Sequence, residues 1–236
     1  MKIIVDTHTH TLASNHAFST ILENVEYAKR NGMKAIGFTD HTHGGEDGAH
    51  RWHFKNLKVL PSVINDIRVI KGAEANILND RGDLDIDGVE SYGKLELVIA
   101  SIHNDYDFPQ NKEYHTNAYL GAIAHPNVKI IGHPDDKRFD FDVEAVVKAC
   151  KESGTAIELN NSSLKKGRAD IARVKRILKA CREFGTYVSC GTDAHFAMEV
   201  GSFAESIAML EECQFPEKLI LNTSVEKMLD FLGLAE

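Results

Sequence analysis

Short apolar runs recur along the chain, and nearly every one hands over to histidine or an acidic side chain. Lys2-Ile3-Ile4-Val5-Asp6 leads to His8 and His10, and Ala35-Ile36-Gly37-Phe38-Thr39 leads to Asp40 and His41. Val69-Ile70-Lys71-Gly72-Ala73 precedes Glu74, Leu97-Val98-Ile99-Ala100-Ser101 precedes His103, and Val128-Lys129-Ile130-Ile131-Gly132 precedes His133. Thr155-Ala156-Ile157-Glu158-Leu159 runs into Asn160 and Asn161, and Tyr187-Val188-Ser189-Cys190-Gly191 into Asp193 and His195. These runs read as β-strands.

Segments of helical periodicity lie between them. Thr20 with Glu23 forms a capping-box pattern that predicts a helix through Ala28, stopped by Gly32. Further helices are expected over 54–65 and 117–124. Asp142 caps another, with Val143, Val146, Val147 and Cys150 on one face and Gly154 at its end. Over 169–184, Ile171, Val174, Ile177, Leu178, Cys181 and Phe184 form an inward stripe. Arg173, Lys175, Arg176, Lys179 and Arg182 then read as the solvated outer face. Thr223 with Glu226 marks a last helix through Leu232.

Strands alternating with helices at intervals of about 30 residues mean βα units and a parallel sheet. An open, doubly wound sheet would place its site at one switch point. Candidate residues after nearly every strand instead favour closure, because all strand ends of a barrel share one mouth. The expected architecture is a distorted (β/α)7 TIM-like barrel forming a single domain over 1–236.

The net charge of −8 argues against a nucleic-acid partner held by a broad basic surface. It leaves anionic substrates open, since bound cations reverse the local potential. Cys150, Cys181, Cys190 and Cys213 form no CxxC pair and read as small apolar residues of a reducing compartment. No apolar run reaches membrane-spanning length, and the first strand starts too early for a signal peptide. A cytoplasmic protein without a membrane partner is expected, so the Asn161 and Asn222 sequons carry no glycan.

His8-Thr9-His10 follows a strand whose alternation sends both imidazoles to one side. With His16, His41, Glu74, His103, His133, Asp193 and His195 it makes nine candidate metal ligands. Nine exceeds the roughly three or four donors of one zinc ion, so two or three ions fit, with Glu74 able to bridge. Imidazole-rich, thiolate-free donors suit zinc, with manganese or iron as substitutes. Several divalent ions against two carboxylates leave a positive pocket suited to phosphate. Adjacent ions can generate hydroxide and stabilise both oxygens of an in-line displacement. There is no GxxxxGK[ST] loop. Phosphate-ester hydrolysis is the reaction these residues favour.

The ordered set Asp6-Thr7-His8-Thr9-His10-Thr11, Ser14-Asn15-His16-Ala17, Thr39-Asp40-His41, Arg51-Trp52-His53-Phe54 and Gly72-Ala73-Glu74-Ala75-Asn76-Ile77 continues further along the chain. There it adds His103, Gly132-His133-Pro134, Glu158 to Ser163 and Gly191-Thr192-Asp193-Ala194-His195. Along its whole length the chain resembles the PHP (polymerase and histidinol phosphatase) superfamily, and within it the YcdX-type phosphatases. The resemblance implies a distorted barrel with a trinuclear, typically zinc, centre that hydrolyses small phosphate monoesters through a metal-bridging hydroxide. It assigns His8, His10, Glu74 and Asp193 to one ion, Glu74, His103 and His133 to a second, and His16, His41 and His195 to a third. Thr192 and Ala194 stand where related chains often have serines.

Other residues are ambiguous. His43 competes with His41 as ligand, or orients it. Arg51 and His53 lie in a loop over the mouth, where His53 is the candidate to contact phosphate or give a proton, against packing beside Trp52. Lys137, Arg138, Lys165, Lys166 and Arg168 follow strand ends, where some could meet an anionic substrate, while any single one reads as solvent-facing. His115 and His125 sit near helix ends, where a capping or solvent-facing role suffices, and Asn160 and Asn161 suit hydrogen bonding behind the ligands. Asp83 to Gly88 is no calcium loop, because its twelfth position is Lys94. The alternatives are a TatD-like deoxyribonuclease, an amidohydrolase-type metal hydrolase, a PHP phosphodiesterase and a non-catalytic metal module. The expected partner is a small phosphorylated substrate, with self-association into a homo-oligomer left open.

Overall fold

The computed structural model describes residues 1–86, 95–104 and 108–235. Asp87, Gly88 and Lys94 of the acidic stretch, and 105–107 of a mouth loop, lie outside them.

The strands are β1 (Val5–Thr9), β2 (Ala35–Phe38), β3 (Val63–Ile64), β4 (Ile67–Asn76), β5 (Leu97–Ser101), β6 (Val128–Ile131), β7 (Ala156–Asn160) and β8 (Val188–Gly191). Seven are parallel, in the order β1-β2-β4-β5-β6-β7-β8, and β3 pairs antiparallel with β4. Every residue of β1, β2, β5, β7 and β8 is buried, as expected of a parallel sheet covered on both sides. The main core packs Ile36, Val69, Val98, Ile131 and Ile157 from the strands against helix residues such as Val25, Val146 and Ile177.

The sheet is nearly closed into a barrel. Between β1 and the segment that follows β8 there is a parallel bridge from Thr9 to Ala194, flanked by Asp193 N–H to His8 O (2.8 Å) and His10 N–H to Ala194 O (2.9 Å). Deeper down, the Asn222 side chain spans the same seam. It donates to Val5 O (2.9 Å) and Cys190 O (2.8 Å) and accepts from Cys190 N–H (2.7 Å). An amide thus supplies ladder hydrogen bonds where two strands do not meet.

The helices are α1 (Ile21–Arg30), α2 (Arg51–Asn56), α3 (Lys112–Ile123), α4 (Val143–Ser153), α5 (Asn161–Lys165), α6 (Ile171–Phe184), α7 (Ala204–Glu212) and α8 (Val225–Leu232). The Thr20–Glu23 capping box is formed, and Asp142 and Gly154 bound α4, the glycine at φ 74°. Helix α3 starts ahead of 117 because Asn111 accepts from Glu113 N–H and Tyr114 N–H.

Three expectations are corrected. The span 54–65 is not one helix: α2 and a 3-10 turn (Leu57–Val59) give way to β3. Asn65 (φ 50°) and Asp66 (φ 67°) then make the two-residue turn into β4, a conformation that asparagine and aspartate tolerate. Helix α8 is capped by Ser224, which accepts from Lys227 N–H, while the Thr223 hydroxyl donates to Ile220 O. Arg173 is not on the outer face; it is buried and donates to Asp136 O and Phe139 O. Helices α5 and α7 were not anticipated. Among the described residues no helix is long and apolar enough to cross a membrane.

Candidate active site and metal centre

The carboxyl ends of the strands and the loops that follow them bring the nine candidate ligands to one place. Glu74, inside β4, is buried at its centre, and its two oxygens face different groups. Oε2 lies 3.2 Å from His8 Nε2, 3.6 Å from His10 Nε2 and 3.0 Å from His41 Nδ1. Oε1 lies 3.2 Å from His103 Nε2 and 2.9 Å from His133 Nε2, and accepts from the Ser101 hydroxyl at 2.6 Å. Asp193 Oδ1 approaches His10 Nε2 (3.2 Å) and His8 Nε2 (3.9 Å). His195 stacks on His10 and His16 with ring centroids 4.1 and 4.3 Å apart. His16, at the rim, is the most open of the nine.

Behind the imidazoles, oxygen acceptors fix their orientation. His8 Nδ1 donates to Glu158 (2.7 Å), His103 Nδ1 to Asn76 Oδ1 (2.6 Å) and His195 Nδ1 to Asp193 O (3.0 Å). With Nδ1 occupied, each Nε2 is presented inward as a donor to a cation. Asn76 is itself held by Asp85, and Asn160 donates to Glu158 Oε2 (3.1 Å). Asn161 instead ties α5 to α7 through Glu205 and Ser206.

Two of the candidate ligands adopt left-handed backbone, His133 (φ 26°) and Asp193 (φ 52°). Such conformations cost of order 1–3 kcal/mol and persist where neighbours enforce them. His133 N–H donates to Glu158 Oε2 (2.7 Å) and Asp193 N–H to His8 O (2.8 Å). Gly191 permits this packing, since a Cβ there would lie 2.1 Å from Glu158 Oε1.

Whether cations fit can be judged from the polar atoms. Among the described residues, Nε2 of His8, His10 and His195, both ring nitrogens of His41, and Oε2 of Glu74 are buried without a hydrogen bond. So many orphaned polar atoms in one place are costly unless ions satisfy them. Sets of mutually close donor atoms comprise His8, His10 and Asp193; His41, Glu74 and His103; His10, His41 and His195; and His16, His41 and Asp47. The donors fit divalent ions.

The electrostatics agree. Burial opposes the charge on Glu74, yet His8, His103 and His41 hold it well below the usual carboxylate range. Burial likewise opposes the charge of Asp193, but the nearby His10, His8 and His195 hold its pKa well below the usual carboxylate range. Burial disfavours the His133 imidazolium, but Glu74 more than compensates and pushes its pKa up to about 9. Burial and the nearby His10 push His195 down to about 3.

The mouth is a cavity of about 280 Å³ lined by His16, His41, His103, His133, Asp193 and His195 together with Asp47, Asn104, Asp136, Arg138, Ser163 and Arg168. Arg168 donates to Asp193 Oδ2 (3.2 Å), and Arg138 is held by both oxygens of Asp136 (2.8 and 2.6 Å). Lys137 and Lys165 are engaged elsewhere, with Gly167 O and Glu199.

Arg51 and His53 are not on this wall. His53 Nε2 lies 3.0 Å from Asp40 Oδ2, and Arg51 donates to His43 Nε2 at 2.8 Å. Asp40 also accepts from Thr11 and Ser14, so it braces the loop that carries His10 rather than facing the ions. His115 is buried, donating to Asp140 O (2.8 Å), instead of facing solvent. Sequence reasoning gave no role to Glu158 or Asp47. Burial inside a strand end was the available signal for Glu158; Asp47, in a loop, offered none.

A sequence model of the PHP domain matches residues 6–162. A probable phosphatase of Caldanaerobacter subterraneus subsp. tengcongensis is 42% identical over 234 residues, covering 98% of this chain and 92% of that protein. A probable phosphatase of Shewanella sediminis is 40% identical, covering 99% and 95%. The histidinol phosphate phosphatase of Lactococcus lactis subsp. lactis, solved with zinc, L-histidinol and phosphate, shares the fold at a TM-score of 0.66 and 16% identity. That match covers 92% of this chain and 95% of that one. The domain match over residues 6–162, the barrel and the relatives aligned over nearly their whole length agree: the chain belongs to the PHP domain family and is a phosphatase of that family.

Proposed function

We propose that the chain hydrolyses small phosphate monoesters at a centre of three divalent ions, zinc first, with manganese or iron(II) as substitutes. The observation that carries this reading is the division of Glu74 between two groups of imidazoles, three on Oε2 and two on Oε1. A carboxylate so placed would serve two ions, one on each oxygen. His8, His10, Glu74 and Asp193 would hold one ion, Glu74, His103 and His133 the second, and His16, His41 and His195 the third. When bound, such ions activate water and stabilise charge on phosphoryl oxygens.

The chain's own groups do the rest. Arg168 and Arg138 line the cavity and offer guanidinium donors matched to phosphate oxygens. Asp193 and Asp136 hold those guanidiniums in place. A cavity of about 280 Å³ lies at the small end of ligand sites and suits a small ester. With His53 bound to Asp40, the leaving oxygen takes its proton from solvent.

The test is a panel of small phosphate monoesters, with p-nitrophenyl phosphate, set against bis(p-nitrophenyl) phosphate. Monoester turnover that disappears in Glu74→Gln is expected. Turnover confined to the diester would move the reading to a phosphodiesterase.

A further inference from the structure

We infer that Asp47 is a ligand of the third ion, joining His16, His41 and His195 as a fourth, anionic donor. The inference rests on the three-ion reading above. Asp47 Oδ2 lies 3.4 Å from His16 Nδ1 and 3.7 Å from His41 Nε2, and the three side chains form one of the donor sets able to hold a cation. The nitrogen it faces on His41 is buried and makes no hydrogen bond, and so is Nε2 of His195, which completes the group. An ion between them satisfies both.

The loop is built to bring the carboxylate there. Asn15, next to His16, clamps it twice: its N–H donates to Asp47 O and its side chain to Glu46 O, each at 3.0 Å. Ala49 N–H returns to His41 O (2.8 Å), and Gly44 N–H donates to Asp85 Oδ2 (3.0 Å). The fold-back passes so close to its own start that a Cβ on Gly48 would lie 2.1 Å from Thr42 O. Glycine is therefore required for Asp47 to reach His41.

The chemistry follows from the charge. Three neutral imidazoles leave the full charge of a divalent ion at the rim, whereas one carboxylate halves it and fills a tetrahedral set. A site with four protein donors is of the kind that retains its ion. Asp47 therefore sets the affinity of the outermost, most exposed ion, and its removal leaves the two inner ions untouched.

The test is the metal-to-protein ratio of zinc-loaded protein across a chelator series, for the wild type, Asp47→Asn and Asp47→Glu, each checked for native far-UV circular dichroism. The wild type is expected to hold three ions. Asp47→Asn should lose one of them at a chelator concentration on the order of 10- to 100-fold lower, and Asp47→Glu, which keeps the carboxylate, should retain it more tightly than Asp47→Asn. Three ions held with wild-type affinity by Asp47→Asn would overturn Asp47 as a ligand and leave the three-ion reading standing. A wild type that binds two ions or fewer in zinc excess would overturn both.

Discussion

His8 and Glu158 meet in the floor of the barrel, Nδ1 to Oε1 at 2.7 Å, with neither side chain exposed to solvent. The second Glu158 oxygen accepts His133 N–H, so one carboxylate from β7 sets the posture of ligands from β1 and the β6 end. The charge of Glu158 also raises the basicity of the imidazole that faces Glu74, which strengthens it as a ligand.

Glu158→Gln keeps the shape and removes the charge. Zinc affinity should fall on the order of 10- to 100-fold, with turnover recovering towards wild type at saturating zinc. A competition titration against a chromophoric chelator measures this. Unchanged affinity would show that Glu158 is a packing residue only.

Asp40 and His53 predict an effect on stability rather than on chemistry. Burial alone would raise the Asp40 pKa, but the hydrogen bond and charge of His53 bring it to about 2, below its ordinary 3.8. Being depressed in the folded state, it contributes stability that is present above pH 3.8 and lost as pH falls through about 2. His53→Ala should cost about 1–3 kcal/mol at neutral pH and move acid unfolding to higher pH, with kcat/KM almost unchanged. A collapse of kcat in a folded, fully metallated His53→Ala would restore a catalytic role to His53.

Arg168 tests the anion side of the cavity. Arg168→Ala removes charge-assisted donors of about 1.5–3 kcal/mol, equivalent to roughly 10- to 150-fold in kcat/KM. Metal content should stay at the wild-type ratio. A parallel fall in metal content would instead mean that Arg168 acts through its contact with Asp193.

His133 predicts the pH dependence of metal loading. A protonated imidazole cannot bind a metal, and its pKa is pushed up to about 9, with burial overcome by Glu74. Zinc binding should therefore release protons, and apparent affinity should fall as pH is lowered from about 9 towards 6.5. In the metal-free protein the sign reverses: the raised pKa contributes stability fully present below 6.5 and lost as pH rises through about 9. Calorimetry in buffers of different ionisation enthalpy counts the protons; a binding heat independent of buffer would contradict this.

The barrel and the convergence of the candidate ligands were legible because parallel strands write themselves as apolar runs, and barrel geometry brings their ends together. The caps at Thr20, Asp142 and Gly154 were legible from local chemistry. What escaped depends on tertiary packing. The 54–65 periodicity hid a hairpin that only the Asn65–Asp66 pair betrays, and Arg173 buries its charge against backbone carbonyls that no helical wheel displays. Glu158 stood in a recognised motif without a role, because its work is done on His8, 150 residues away in sequence.

The most direct test of the central claim is turnover of p-nitrophenyl phosphate measured with the metal-to-protein ratio on the same sample, through chelation and stepwise zinc return. The account predicts that activity disappears with the ions and returns as occupancy rises towards three. Full metal occupancy with no turnover of any monoester would contradict it, as would activity that survives complete removal of metal.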